Sequence, residues 1–294
     1  SVFGLAGYIF DVGREFSYGD DITAGSVGLL QGGNYYPVAI SITLVAWLFV
    51  DDHFKISVFK RAFLISVSAL TYLLILLTMR RTSIILPLLG IVTIMLTTRK
   101  SLGKISLLIA SLGILLFLSW PLYGDLLVKR YTIRAEMGRF EEDFYETENR
   151  FIETTQILKE TFSLNNIPHS LFGSNVFAGG WENGIVRRMY HTDHGQIMAT
   201  SGLVGFSIYV GIFFSFFRRF FRYRRFYNIS SNIRNLNSLF LAIILITIAV
   251  GFNGSIFIVT FRTTAFLLIG ALIGRISNEI DSLRVSGRGQ NVFA

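Results

Sequence analysis

The sequence predicts an all-α protein: a polytopic transmembrane helical bundle with a long helical loop on its outer, periplasmic face. Three observations carry this. Apolar runs of about 16 to 22 residues recur along the chain, the length a helix needs to cross a hydrocarbon core ~30 Å thick. Only 16% of residues are charged and 52% are hydrophobic, whereas a soluble domain is nearer one quarter charged. Lysine and arginine gather in loops that alternation of the spans places on one side.

Residues 1–34 are Gly-rich and mildly apolar and read as an outer-face connector. The opening has no basic stretch ahead of a short apolar core, so the chain reads as the later part of a longer membrane protein. Residues 35–120 read as four transmembrane helices, with apolar spans at 35–50, 63–78, 84–98 and 105–120. DDHFKISVFKR, MRRTS and TTRKSLGK connect them, and Pro121 stops the last. Residues 121–195 are polar and charged and read as a periplasmic loop carrying site residues. Residues 196–276 hold three further spans, at 196–217, 239–258 and a short one at 266–276 that begins near Thr260. Residues 277–294 read as a basic, Gly-rich, disordered cytoplasmic tail.

The net charge is +8, with a pI of about 9.8. Lys55, Lys60 and Arg61 lie in one loop; Arg99, Lys100 and Lys104 in another. Arg218, Arg219, Arg222, Arg224, Arg225 and Arg234 lie in a third, and Arg275, Arg284 and Arg288 near the C-terminal end. Alternation through seven spans puts all four groups on the cytoplasmic side. The basic excess is thereby explained by membrane lipids as partners, with no nucleic acid. The chain has no cysteine, which excludes disulfides and thiolate metal sites.

The same alternation leaves Arg80, Arg81 and Arg262 on the outer side, where cations are disfavoured. Ionisable groups at that boundary are functional candidates, the structural alternative being snorkelling to outer-leaflet phosphates. The outer loop, roughly 70 residues, is too long to be a mere connector. Residues 139–161 have helical spacing, with Phe144, Phe151, Ile152 and Leu158 on one broad face. The run Glu141, Glu142, Asp143, Glu146 and Glu148 reads as a solvated face; Arg150 stands out within its acidic surroundings. SLNNIPHSLFGSNVFAGGWENG is a turn-rich excursion in which His169 reads as structural.

Arg187 and Arg188 follow, immediately before YHTDHGQIMATSGLVG, the stretch around which the chain is organised. There His191, Asp193 and His194 stand at the mouth of an apolar helix, ahead of Gly202 and Gly205. Arginine binds phosphate bidentately, and histidine titrates near neutrality and accepts a proton from a hydroxyl. The combination suits an anionic, lipid-linked substrate at the membrane surface. His191 and His194, at i and i+3, sit as zinc ligands would, but zinc needs a third or fourth ligand and none has the spacing. No metal and no cofactor is therefore expected. A structural role for both histidines is the competing reading.

These residues resemble the O-antigen ligase and O-antigen polymerase superfamily. In that family a late outer loop ends in a histidine, followed at His191–Gly202 spacing by Gly-x-x-Gly, which Gly202 and Gly205 supply. His191 is the preferred match because Thr192 follows it; His194 is the alternative. MRRTSIILPLLG resembles the family's arginine at the outer start of a membrane helix, with Arg81 in place and Arg80 where serine is usual. Arg150–Phe151 resembles a further arginine–aromatic pair early in the long loop. PHSLFGSN resembles the Pro- and Gly-containing turn that follows in the family, with Ser174–Asn175 in place of its last glycine. The resemblance spans roughly residues 62 to 205.

The resemblance implies a GT-C-like fold and a metal-independent, inverting sugar transfer at the periplasmic face of the bacterial inner membrane. The donor it implies is an undecaprenyl-pyrophosphate-linked oligosaccharide. The acceptor is a glycan on another lipid-linked repeat or on lipid A core. His191 or His194 would be general base or acceptor-orienting group. Arg81 and Arg80 would hold the pyrophosphate, assisted by Arg150, Arg187, Arg188 and Arg262. Two other classes remain: a polysaccharide or lipid transporter or flippase, which needs polar groups in mid-span, and a non-catalytic scaffold.

Overall fold

In the computed structural model of the chain the described residues are 35–50, 57–77, 81–98, 120–136, 161–173, 181–182, 187–188, 192–252 and 259–285, with scattered helical positions at 103–118 and 155–159. Among them the chain is helical apart from one two-residue antiparallel pair. The helices are α1 (Tyr35–Val50), α2 (Val58–Leu77), α3 (Arg81–Thr98), α4 (Trp120–Glu136), α5 (Ile167–Phe172), α6 (Asp193–Arg224), α7 (Ser231–Gly251) and α8 (Val259–Val285). The strands are β1 (Trp181–Glu182) and β2 (Arg187–Arg188).

α7 is the core. From Leu239 on it is apolar nearly all round, as suits a helix covered on most faces, and α3, α8, α6 and α1 pack on it. Leu239, Phe240, Ile243, Ile244, Ile246 and Val250 are buried along its length. At Gly90 of α3 a Cβ would come within 2.7 Å of Thr43 Cγ2 and 3.0 Å of Ile246 Cδ1, so the missing side chain lets α1, α3 and α7 meet. Hydroxyls inside these apolar helices bond back along their own helix: Thr43 to Ala39 O at 2.9 Å, Thr93 to Leu89 O at 2.7 Å and Thr247 to Ile243 O at 2.7 Å. Such self-satisfaction is what a hydroxyl needs where no water competes.

Among the described residues two helices, α6 and α7, are long and apolar enough to cross a membrane; shorter apolar stretches lie at Tyr36–Phe49 and Ile84–Thr98. The two long helices differ in surroundings. α7 is mostly covered by protein, as the core helix of a soluble domain also is. The apolar stretch of α6 is mostly uncovered, with Phe214 70% and Ile208 63% exposed. Apolar surface left open on this scale marks contact with another apolar phase, and α6 and α7 together point to membrane association.

α6, α7 and α8 run alternately up and down, which gives the group two chemically distinct ends. At one, Trp47 Nε1 donates to Asn235 O at 2.8 Å, and Asn237 Nδ2 donates to Phe220 O at 3.0 Å and Tyr227 Oη at 2.8 Å. The arginines of late α6 lie here. At the other, Tyr36 packs on Phe261, with ring centroids 5.5 Å apart, next to Arg262. Arg262 and the Arg218–Arg225 cluster thus occupy opposite ends, the relative placement that alternation of the spans requires.

Several boundaries differ from the sequence reading. Pro121 does not stop a helix: it lies within α4, which runs on to Glu136. α8 continues into the expected disordered tail as far as Val285, because Ile276, Ile280 and Leu283 extend its apolar face onto the core. α7 begins at Ser231, where the Ser230 hydroxyl accepts from Ile233 N at 3.3 Å, rather than at the first apolar residues near 239. The end of the turn-rich excursion forms β1, which pairs with β2 just after it, Trp181 opposite Arg188 and Glu182 opposite Arg187.

Candidate functional site

The described part of the site is built where α6 begins, α7 ends and α8 begins. Thr192 caps α6, its hydroxyl accepting from Gly195 N at 3.1 Å. Asp193 and His194 are therefore held in the first turn. A carboxylate in that position faces the unpaired N–H groups at the positive end of the helix dipole. Asp193 is 0% exposed and pairs with the guanidinium of Arg262, in the first turn of α8. The pair is almost dry, since the Arg262 side chain is only 16% exposed. Arg262 therefore turns inward to a carboxylate instead of snorkelling outward.

His194 lies edge-on against two rings, Phe252 with centroids 4.7 Å apart and Tyr209 at 5.6 Å. Its Nε2 is buried, with no hydrogen-bond partner among the described residues. The Tyr209 hydroxyl is also buried, with no well-formed hydrogen bond among them, although the Arg262 guanidinium is close enough to act on it electrostatically. Gly251 closes the cluster. A Cβ there would lie 3.3 Å from Tyr209 Oη, 3.4 Å from Asp193 Oδ2 and 3.5 Å from His194 Cε1. The end of α7 thus abuts all three polar groups. Chemically this is an imidazole nitrogen without a hydrogen-bond partner among the described residues, beside a carboxylate–guanidinium pair, in a region walled by aromatic rings.

About two and a half turns into α6 the helix breaks. Gly202 has φ 59°, ψ −161°, backbone that L side chains rarely adopt. α5 docks into the break. A Cβ on Gly202 would collide with the Leu171 carbonyl and lie 2.6 Å from Phe172 N. The contact is reciprocal: Gly173, φ 77°, caps α5, and a Cβ there would collide with the Thr200 carbonyl and lie 2.6 Å from Ser201 N. α5 is itself capped by Asn166, whose Oδ1 accepts from His169 N at 3.3 Å, so the His169 backbone serves the turn. Two motifs of the sequence reading, PHSLFG and the first glycine of Gly-x-x-Gly, are halves of one backbone-to-backbone joint beside the site.

Of the predicted site residues, His194 and Arg262 meet through Asp193 and Tyr209. Arg81 opens α3, and Arg187 and Arg188 form β2, but their side chains lie outside the described residues. His191, Arg80 and Arg150 lie wholly outside them, as do the acidic run from Glu141 to Glu148, the connector 1–34 and residues 286–294. Among the described residues no three His, Asp or Glu side chains gather to ligate a metal. Sequence reasoning missed Tyr209, Gly251 and Phe252, and did not pair Asp193 with Arg262. The available signals were a tyrosine inside an otherwise apolar run and an outer-end arginine lacking a nearby carboxylate in sequence. No family model, curated protein or solved structure matches the chain.

Proposed function

We propose that the protein is a polytopic, GT-C-like membrane glycosyltransferase of the bacterial inner membrane. It transfers or polymerises undecaprenyl-pyrophosphate-linked glycan repeats at the periplasmic face. The observation that carries the reading is the cluster at the α6–α7–α8 end: His194 Nε2, without a hydrogen-bond partner among the described residues, beside the buried Asp193–Arg262 pair. Inverting transfer requires a base for the acceptor hydroxyl and cations for the departing diphosphate, held in place before the reaction.

In the proposed step the acceptor hydroxyl oxygen attacks the anomeric carbon of the donor sugar. Its proton passes to an imidazole, that of His194 or of His191 three residues earlier. The bond from the anomeric carbon to the pyrophosphate oxygen breaks, and undecaprenyl pyrophosphate leaves with the electron pair. Arg81, with Arg80, is assigned to the pyrophosphate; Arg150, Arg187 and Arg188 assist. Arg262 acts chiefly by fixing Asp193 and the first turn of α6. Acceptor glycan and lipid A core are both compatible with this chemistry, and no cofactor enters.

A transporter would need ionisable groups along a path through the spans. In α6, α7 and α8 the charged side chains gather at the two ends instead. The test is reconstitution of the full-length protein in liposomes with lipid-pyrophosphate-linked repeats. Longer or ligated glycan from wild type supports the reading. Lipid crossing the bilayer without glycan transfer would establish the flippase instead.

A further inference from the structure

At the opposite end from the candidate site, the last turns of α6 and α8 enclose an open cavity of about 470 Å³. Arg219 and Arg222 line it from α6, Arg225 from the cap that ends α6, and Arg284 from α8. The first three are spaced i, i+3 and i+6, which puts them on one helix face. One carboxylate, Asp281, also lines the cavity and pairs with Arg284 at 3.1 Å. The wall therefore carries four guanidiniums against one carboxylate. Tyr223 lines it too: the residue is 4% exposed, and its hydroxyl is buried without a hydrogen-bond partner among the described residues.

We infer that this cavity binds a phosphate-bearing anion through the Arg219, Arg222, Arg225 and Arg284 guanidiniums. Arginines at a helix C-terminus have a simpler role, that of complementing the helix dipole. Two helix ends supply only about one negative elementary charge between them, roughly half a charge each. A wall of four cations and one anion exceeds that need. Guanidinium forks match phosphate oxygens bidentately. Basic pockets between helices at the membrane surface suit anionic lipid headgroups, but the same donors would take a soluble phosphate. The inference does not depend on the glycosyltransferase reading.

The experiment measures Tm of the full-length protein in detergent as ligand is added, since a ligand that binds only the folded state raises Tm. The probes are phosphatidylglycerol in mixed micelles, phosphatidylcholine at the same concentration, and inorganic phosphate and pyrophosphate. Phosphatidylglycerol raises Tm and phosphatidylcholine does not. If inorganic phosphate also raises Tm and competes, the cavity is a general phosphate site; if it does not, the ligand is the lipid headgroup. R222Q/R225Q weakens apparent affinity by about 10-fold or more. R218Q/R224Q removes the same charge from residues that do not line the cavity and leaves affinity unchanged. Should R222Q/R225Q not fold, Arg222→Gln alone takes its place. The inference is overturned if neither phosphatidylglycerol nor phosphate shifts Tm, or if R218Q/R224Q loses as much as R222Q/R225Q.

Discussion

Asp193 and Arg262 stand 69 residues apart in sequence and form an ion pair from which water is almost excluded. Their pairing joins the first turn of α6 to the first turn of α8. It therefore fixes the orientation of His194, the next residue along. Removing either partner leaves the other as a nearly dry charge, and truncating one side of such a pair costs about 3–5 kcal/mol. Arg262→Met is expected to lower stability by that amount in detergent unfolding experiments. The double variant D193N/R262M is expected to recover more than half of the loss. Equal losses in the single and double variants would show that the pair contributes nothing specific.

The joint between α5 and the break in α6 makes a second prediction. Gly202→Ala and Gly173→Ala each place a Cβ at positive φ and against backbone, so each should destabilise by more than about 1 kcal/mol. Gly211→Ala is the control. It sits in the same helix with no atom near its would-be Cβ and should be neutral or stabilising by about 0.5–1 kcal/mol. Thermal unfolding measures all three, and limited proteolysis at α5 should accelerate only in the first two.

Sidedness is open to direct labelling because the chain has no cysteine of its own. Asn228 lies exposed in the turn between α6 and α7, and Phe252 lies exposed just after α7. In sealed, right-side-out vesicles, a membrane-impermeant maleimide should label a cysteine at 252 and leave one at 228 unlabelled until the vesicles are opened. Labelling of both from outside would mean that α7 does not cross the membrane.

The assignment of the diphosphate makes a fourth prediction. Arg81→Ala should lower transfer from the lipid-linked donor about 10- to 100-fold, the loss of one or two charge-assisted hydrogen bonds. Arg99→Ala, beyond the far end of α3, should leave it unchanged. Donor titration in the reconstituted system measures both. Equal losses would remove the distinction between the two ends.

The helical character and the course of α6, α7 and α8 are legible in the sequence because apolar runs are long and separated by arginine-rich turns. Their ends are less so. Helix hydrogen bonding continues through polar residues when a cap such as Ser230 or an apolar face such as Ile276, Ile280 and Leu283 supports it. His194 and Arg262 can be singled out from sequence by residue type and position. Their connection through Asp193 cannot, because a contact across 69 residues leaves no local pattern. Gly202 is recognisable as part of a spacing motif, but its physical reason lies in the approach of α5 backbone. Periodicity within α6 carries no trace of that approach.

The rate of glycan transfer by H191A/H194A in liposomes, at saturating donor and against wild type, tests the central claim most directly. General-base catalysis contributes about 10²- to 10⁴-fold, so the variant should fall at least about 100-fold while its Tm stays within a few degrees, and the single variants then identify which imidazole takes the proton. A folded double variant that transfers glycan at the wild-type rate would contradict the account.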